Sequence, residues 1–221
     1  MASSFAFAQE ARPLFNGKDL SGWRGQGMVD PVKWNEMDVE KRKTEQAKYD
    51  EDLAKHWSVK DGEIVNDGKG VYLTTAKDYG DFELTLDWKM VAPNGDSGVY
   101  LRGYPQVQIW DPANPKEVKN GADKGSGALW NNSDPKNGKF PPVVGDKPIG
   151  EWNTLKIVMK GEHVTIHLND KLVVDHATLD NYYKRGTPLS PVGPIQLQTH
   201  GSEMRFRNIT LKDLSTGGAK K

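Results

Sequence analysis

The sequence predicts an all-β fold, a sandwich of two antiparallel sheets with a short helical insertion, on three observations. Apolar and polar residues alternate with period two over several short segments, the pattern of half-buried strands. Turn formers punctuate those segments, with 23 Gly and 13 Pro in 221 residues. One segment, residues 33 to 56, lacks both Gly and Pro and is dense in charge instead. Sandwiches of this length commonly form one domain. A single sandwich is therefore expected over residues 13–214, between a tail at 1–12 and a flexible tail at 215–221.

The elements follow in order. Leu14 to Trp23 reads as an opening strand and turn. Lys33 to His56 has helix-forming composition. Trp34, Met37, Lys41, Glu45, Lys48 and Asp52 make no continuous apolar stripe along it. A surface helix inserted in a loop is expected, rooted at Trp34 and Trp57, either a solvated decoration or a rim over a site. Trp57 to Val65 reads as a hairpin with Asp61-Gly62 at the turn. Gly70 to Thr75 is a short strand. Phe82, Leu84, Leu86 and Trp88 share one face of the next strand, and Glu83, Thr85 and Asp87 share the other. After the turn at Asn94-Gly95, Val99 and Leu101 oppose Tyr100 and Arg102. Val107 and Ile109 then oppose Gln106, Gln108 and Trp110.

Residues 112 to 150 read as long loops around one short strand near Ala128-Leu129-Trp130. Loops of this length are often functional. Trp152 to Met159 and His163 to Leu168 form strands around Lys160-Gly161-Glu162, and Asn169-Asp170-Lys171 turns into Leu172 to Asp175. Ile195 to His200 and Met204 to Leu211 close the sheets. Ten to thirteen strands imply the two-sheet sandwich.

Composition narrows the function. Lys+Arg and Asp+Glu both count 30, so no net field favours nucleic acid or an anionic membrane. Cysteine is absent, which removes disulfides and thiolate metal sites. No apolar run is long enough to span a bilayer as a helix. Ala6-Phe7-Ala8 matches the small-x-small end of an export signal. The apolar part is short and no basic residues precede it, so a remnant signal and a chance apolar start both fit.

Three polar faces could meet: Glu83, Thr85 and Asp87; Tyr100 and Arg102; Gln196, Gln198 and His200. On neighbouring strands they would form one patch, joined by Gln108, Trp110 and Asp111. Aromatic rings stack on sugar rings, and carboxylates, amides and Arg hydrogen-bond hydroxyls. Each residue taken alone fits the solvent face of an antiparallel sheet. The set, rich in Gln, Tyr and Trp, points to a sugar site. His200 is a candidate acid or base near neutral pH, or a satisfied structural histidine. His163 and His167 share a strand face but have no third metal ligand nearby.

Familiar hydrolase signatures are missing: no G-x-S-x-G, no H-E-x-x-H and no P-loop. Glu83 and Asp87 lie about 13 Å apart by strand rise, too far for either usual two-carboxylate glycosidase geometry.

Six motifs in order resemble a known family. They are Phe15-Asn16-Gly17-Lys18-Asp19-Leu20-Ser21-Gly22-Trp23, Gly95-Asp96-Ser97-Gly98-Val99-Tyr100-Leu101-Arg102-Gly103, Val107-Gln108-Ile109-Trp110-Asp111, Gly150-Glu151-Trp152-Asn153, Pro194-Ile195-Gln196-Leu197-Gln198-Thr199-His200-Gly201 and Arg205-Phe206-Arg207-Asn208-Ile209. Together they resemble the 3-keto-disaccharide hydrolase domain family. The resemblance implies a concanavalin A-like (jelly-roll) sandwich, a secreted or periplasmic location, and cleavage of glycosides whose glucose is oxidised at C3. The insertion at 33–56 lies outside that pattern.

A C3 ketone acidifies the C2 proton, so a single base can start β-elimination of the C1 substituent and water can then add. Such chemistry needs a base and a cation or metal at the enolate oxygen. His200, Arg102, Glu83 and Asp87 are the expected catalytic group. Asp96, Tyr100, Gln108, Trp110, Asp111, Trp130 and Gln198 are the expected substrate contacts. A divalent cation is a further expectation, with Asp96 and Asp111 as oxygen ligands. The expected partner is an oligosaccharide or glycoside. The competing expectations are a non-catalytic, lectin-like carbohydrate-binding module and an adhesion domain, since a sandwich serves all three.

Overall fold

The computed structural model describes residues 10–215. The short tail and the Ala6-Phe7-Ala8 reading fall largely outside that range. Among the described residues thirteen strands form two antiparallel sheets. They are β1 (Arg12–Pro13), β2 (Trp23–Gln26), β3 (Trp57–Lys60), β4 (Glu63–Asn66), β5 (Tyr72–Thr75), β6 (Phe82–Met90), β7 (Asp96–Leu101), β8 (Tyr104–Trp110), β9 (Asn153–Lys160), β10 (His163–Leu168), β11 (Lys171–Thr178), β12 (Gln196–Leu197) and β13 (Met204–Asp213). The first sheet runs β11-β10-β9-β6-β13-β4-β3, with β1 also on β13. The second runs β2-β5-β12-β7-β8.

Period-two alternation places the core. Phe82, Leu84, Leu86 and Trp88 of β6 join Val99, Leu101, Val107 and Ile109 of the second sheet in one buried cluster. Asp61 and Gly62 both have positive φ, the I′ geometry that joins β3 to β4 as the sequence predicts. Two expected strands shrink. Leu14 to Trp23 is mostly turn, and Ile195 to His200 pairs only over Gln196–Leu197.

Consecutive strands β6 and β7 belong to different sheets. The chain crosses between them at Val91–Gly95, where Asn94 takes φ 63°. This crossing separates two polar faces that the sequence suggested were one.

The charged insertion folds as α1 (Pro31–Glu36) and α2 (Val39–His56). Asp30 caps α1 ahead of Pro31, and Asp38 caps α2 through the amides of Glu40 and Lys41. It is no detached decoration. Strand β2 is an edge, and its Gly25 offers an unpaired N–H and C=O on the open side. The N–H donates to Asp50 at 2.8 Å, and Gln46 Nε2 donates to the C=O at 2.8 Å. Asp52 accepts from Val71 N at 2.8 Å. Trp34 and Leu53 are buried beneath the helices. The insertion thus covers an edge that would otherwise be open to pairing with another chain.

Candidate active site

The outer face of the second sheet carries a polar row that loops bury. Gln196 pairs in register with Tyr100 and Thr74, and Gly98 with Gln108. Asp96 stands opposite Trp110. These positions point away from Leu73, Val99, Val107 and Leu197 in the core. Of these, Tyr100, Gln108, Asp96 and Trp110, together with His200, Gln198, Tyr72 and Trp130, line a pocket of about 310 Å³.

Its polar centre is a relay of four side chains. Gln106 Nε2 donates to Gln108 Oε1. Gln108 Nε2 donates to Asp96 Oδ1 at 2.7 Å. Asp96 Oδ2 lies 3.2 Å from His200 Nδ1. Asp96 thus holds a proton on Nδ1 and leaves Nε2 free to accept one. The Asp96 carboxylate raises the His200 pKa above its ordinary value, against the lowering effect of partial burial, with Glu117 adding to the rise.

Aromatic walls complete the pocket. Trp110 and Trp130 meet edge to face with centroids 6.0 Å apart. Each indole N–H is already used, on Gly125 O and Asn120 O respectively, which fixes the rings. Tyr72 and Tyr100 lie 5.2 Å apart, and Gln198 Nε2 reaches Tyr72 Oη at 3.4 Å. Burial raises the Tyr100 pKa far above the ordinary range, with Tyr72 adding to it, so this phenol remains an O–H donor at any working pH.

Seven of the expected residues therefore gather: His200, Asp96, Tyr100, Gln108, Trp110, Trp130 and Gln198. Four do not. Glu83 and Asp87 sit on the outer face of the other sheet. There Glu83 pairs with Lys156 at 3.3 Å, and Asp87 accepts from Thr154 and Asn208, each at 2.7 Å. Alternation assigned their face correctly but does not say which sheet a strand joins.

Arg102 fails for a different reason. The register Leu101↔Tyr104 leaves Arg102 and Gly103 as a two-residue turn, with φ 54° and 80°. The left-handed turn breaks the alternation with Tyr100 and sends the buried guanidinium to Gly80 O and Asp81, both at 2.9 Å. Asp111 is buried and spends its carboxylate on the backbone N–H groups of Asn94 (2.8 Å) and Ala113 (2.9 Å). It tethers a loop and does not join Asp96 as a cation ligand. Among the described residues no three His, Asp or Glu side chains gather as a metal-ligand set. His163 stacks on His176, with ring centroids 4.3 Å apart.

The sequence reading missed Met28, Tyr72, Gln106, Glu117, Asn131 and Tyr182, which also line the pocket. Tyr72 and Gln106 carry the alternation signal, since each flanks core positions on its strand. The other four come from loops, where no period marks direction.

A family model described as a 3-keto-alpha-glucoside-1,2-lyase-like domain matches residues 10–212. The chain belongs to this family. A Bacteroides thetaiotaomicron protein named 3-keto-disaccharide hydrolase is 28% identical over 91% of this chain and 77% of its own length. Two Parabacteroides distasonis structures, provisionally named glycosyl hydrolases, share the fold. One superposes with TM-score 0.63 at 23% identity, covering 93% of this chain and 94% of that one. The other gives 0.52 at 27% identity, covering 72% and 91%. The family's sandwich is thus the architecture that positions the Asp96–His200 pair.

Proposed function

We propose that this family member is a carbohydrate-active enzyme that cleaves glycosides of glucose oxidised at C3, starting at C2. The observation that carries the reading is the Asp96–His200 pair, at 3.2 Å, inside a pocket walled by Trp110, Trp130, Tyr72 and Tyr100. The family match and the relative's name supply the substrate class.

In this reading His200 Nε2 takes the C2 proton. The C2–H electrons form the C2=C3 bond, and the ketone oxygen becomes an enolate. The enolate then reforms the ketone and expels the C1 substituent, which leaves with a proton, so a C1=C2 bond replaces the C1–O bond. Water adding across that bond returns a proton to C2 and a hydroxyl to C1, giving net hydrolysis. The ketone is what makes this feasible for one base, and the pocket needs no close carboxylate pair. With Arg102 turned away, the phenols of Tyr100 and Tyr72 are the donors for the enolate oxygen. The same reading carries export from the cytoplasm.

The test is incubation with a 3-keto-glucoside and its unoxidised parent, in H₂O and in D₂O. Turnover of the oxidised compound alone, with deuterium at C2 of the released sugar, is expected. Turnover without deuterium at C2 would exclude proton abstraction there. Binding of both sugars with turnover of neither would make the protein a lectin-like module instead.

A further inference from the structure

The polar outer face of the second sheet continues past the His200 pocket. Beyond Gln196 and Thr74 it reaches Arg24 and Gln26 on β2. There α1 and α2 roof a second cavity of about 470 Å³. The loop between β2 and α1 divides the two spaces, with Met28 lining the first and Val29 the second.

The chemistry of this cavity differs from that of its neighbour. Arg24, Arg42 and Lys43 line it, with Asp78 as the one carboxylate among its lining residues. Lys43 is paired with Glu40 out in solvent. Arg24 gives one N–H to Gln46 Oε1 at 2.9 Å and lies 5.7 Å from the centre of the Trp34 ring. Arg42 makes only a long contact to Asn35 O, at 3.4 Å. Asp78 and Asp50 act on Arg24 through space, and burial lowers its pKa. Burial also raises the pKa of Asp78, against the lowering effect of Arg24.

The floor adds a second demand. Gln26 and Gln196 are 2% and 1% exposed, and the Oε1 of each lacks a hydrogen-bond partner. Buried acceptors of this kind are normally satisfied. The terminal torsion of a glutamine amide is soft, so either oxygen can turn toward a donor in the cavity.

We infer that this cavity binds a sugar residue bearing a carboxylate, the part of the substrate joined to the oxidised glucose. The inference rests on the reading above that the adjoining pocket takes a glycoside. Hydroxyl groups supply the donors that Gln26 and Gln196 lack. The carboxylate faces Arg24 and Arg42, whose fork of N–H donors matches it in shape. The cation–π contact with Trp34 and the bond to Gln46 hold Arg24 ready. The insertion at 33–56 thereby becomes a specificity element, since it supplies Trp34, Arg42 and Lys43.

The test is binding, so it does not depend on turnover. Methyl glucuronoside and methyl glucoside share their ring hydroxyls and differ only in the C6 carboxylate. Their affinities for the full chain are measured by ligand-observed NMR titration. The wild type should bind the uronide about tenfold more tightly, the value of one charge-assisted hydrogen bond converted to affinity. The Arg24→Gln/Arg42→Gln double variant should lose that preference and keep its affinity for the neutral glucoside. His200→Ala should retain the preference. Equal binding of both sugars by the wild type would overturn the inference. So would a preference that survives the double variant, or one lost in His200→Ala, which would put the anion in the His200 pocket. If no 3-keto-glucoside is turned over while the uronide preference behaves as expected, the catalytic reading fails and this site stands.

Discussion

Asp96 Oδ2 sits 3.2 Å from His200 Nδ1, and Gln108 donates to the other oxygen of the same carboxylate at 2.7 Å. Three strands converge to make this contact. Asp96 opens β7, Gln108 lies within β8 and His200 follows β12. The carboxylate is thereby oriented before any ligand arrives, and it orients the imidazole in turn.

The first prediction concerns the base. His200→Ala should lower kcat/KM on a 3-keto-glucoside by about 100- to 10,000-fold, the usual loss of a general base. Its circular dichroism should match the wild type, because the side chain is largely exposed. A loss below about tenfold would remove His200 from the proton transfer.

The pH dependence follows from the direction of the His200 shift. Its folded pKa lies above the ordinary value, chiefly through Asp96. Any stability from the pairing is therefore full below the unfolded pKa and is lost as pH rises through the folded one. If His200 is the base, its neutral form is the active one, so activity should rise over that same folded pKa. Asp96→Asn should move this rise to lower pH and reduce the plateau, since the tautomer is no longer held. The kcat/KM profile and the NMR titration of the His200 ring protons both report it. An unmoved profile would show that Asp96 does not govern the base.

Arg102 should prove structural. Arg102→Ala removes a buried guanidinium that bonds Gly80 O and Asp81. A loss of about 2–3 kcal/mol is expected from the broken charge-assisted bonds, with half-exposed Asp81 limiting the cost. Chemical denaturation measures this. The kcat/KM of the folded fraction should stay within a few-fold of wild type, and a fall of 100-fold would return Arg102 to the reaction.

The helical insertion should be integral to the fold. A β-carbon built on Gly25 would lie 2.3 Å from Tyr49 O, because α2 packs directly on β2. Gly25→Ala must push α2 outward and should cost about 1–3 kcal/mol, the usual range for overpacking. Thermal melts would show it. A melting temperature unchanged in Gly25→Ala would mean that the helix is only loosely docked.

These cases show what the sequence made legible. Alternation assigned faces well: Gln108 and Trp110 oppose Val107 and Ile109, as the period requires. It could not assign sheets, so Glu83 and Asp87 were grouped with strands that lie across the core. It also could not foresee the left-handed turn at Arg102, because Arg-Gly is not one of the dipeptides that mark such a hairpin. The insertion's helicity was readable from its composition. Its docking was not, because Gln46, Asp50 and Asp52 meet the backbone of β2 and its neighbourhood with polar side chains that leave no hydrophobic period.

The last prediction tests the phenols as substitutes for the expected cation. Tyr100 is fully buried, burial holds its O–H protonated, and that O–H points to the weak acceptor Met28 Sδ at 3.7 Å beside the Tyr72 ring. That hydrogen is available to the oxygen on which charge develops. Tyr100→Phe removes it while keeping the ring packed against Tyr72. If the phenol stabilises the enolate, kcat on a 3-keto-glucoside should fall by about 10²- to 10³-fold, as when an oxyanion donor is lost. KM should change little, because the neutral ketone gains less from the donor than the enolate does. The solvent deuterium exchange at C2 should slow in parallel, since the same enolate precedes both outcomes. Binding of the unoxidised glucoside should be unchanged, which separates a role in the transition state from a merely packed pocket. Slowed cleavage with undiminished C2 exchange would move Tyr100 from the enolate to the departure of the leaving group.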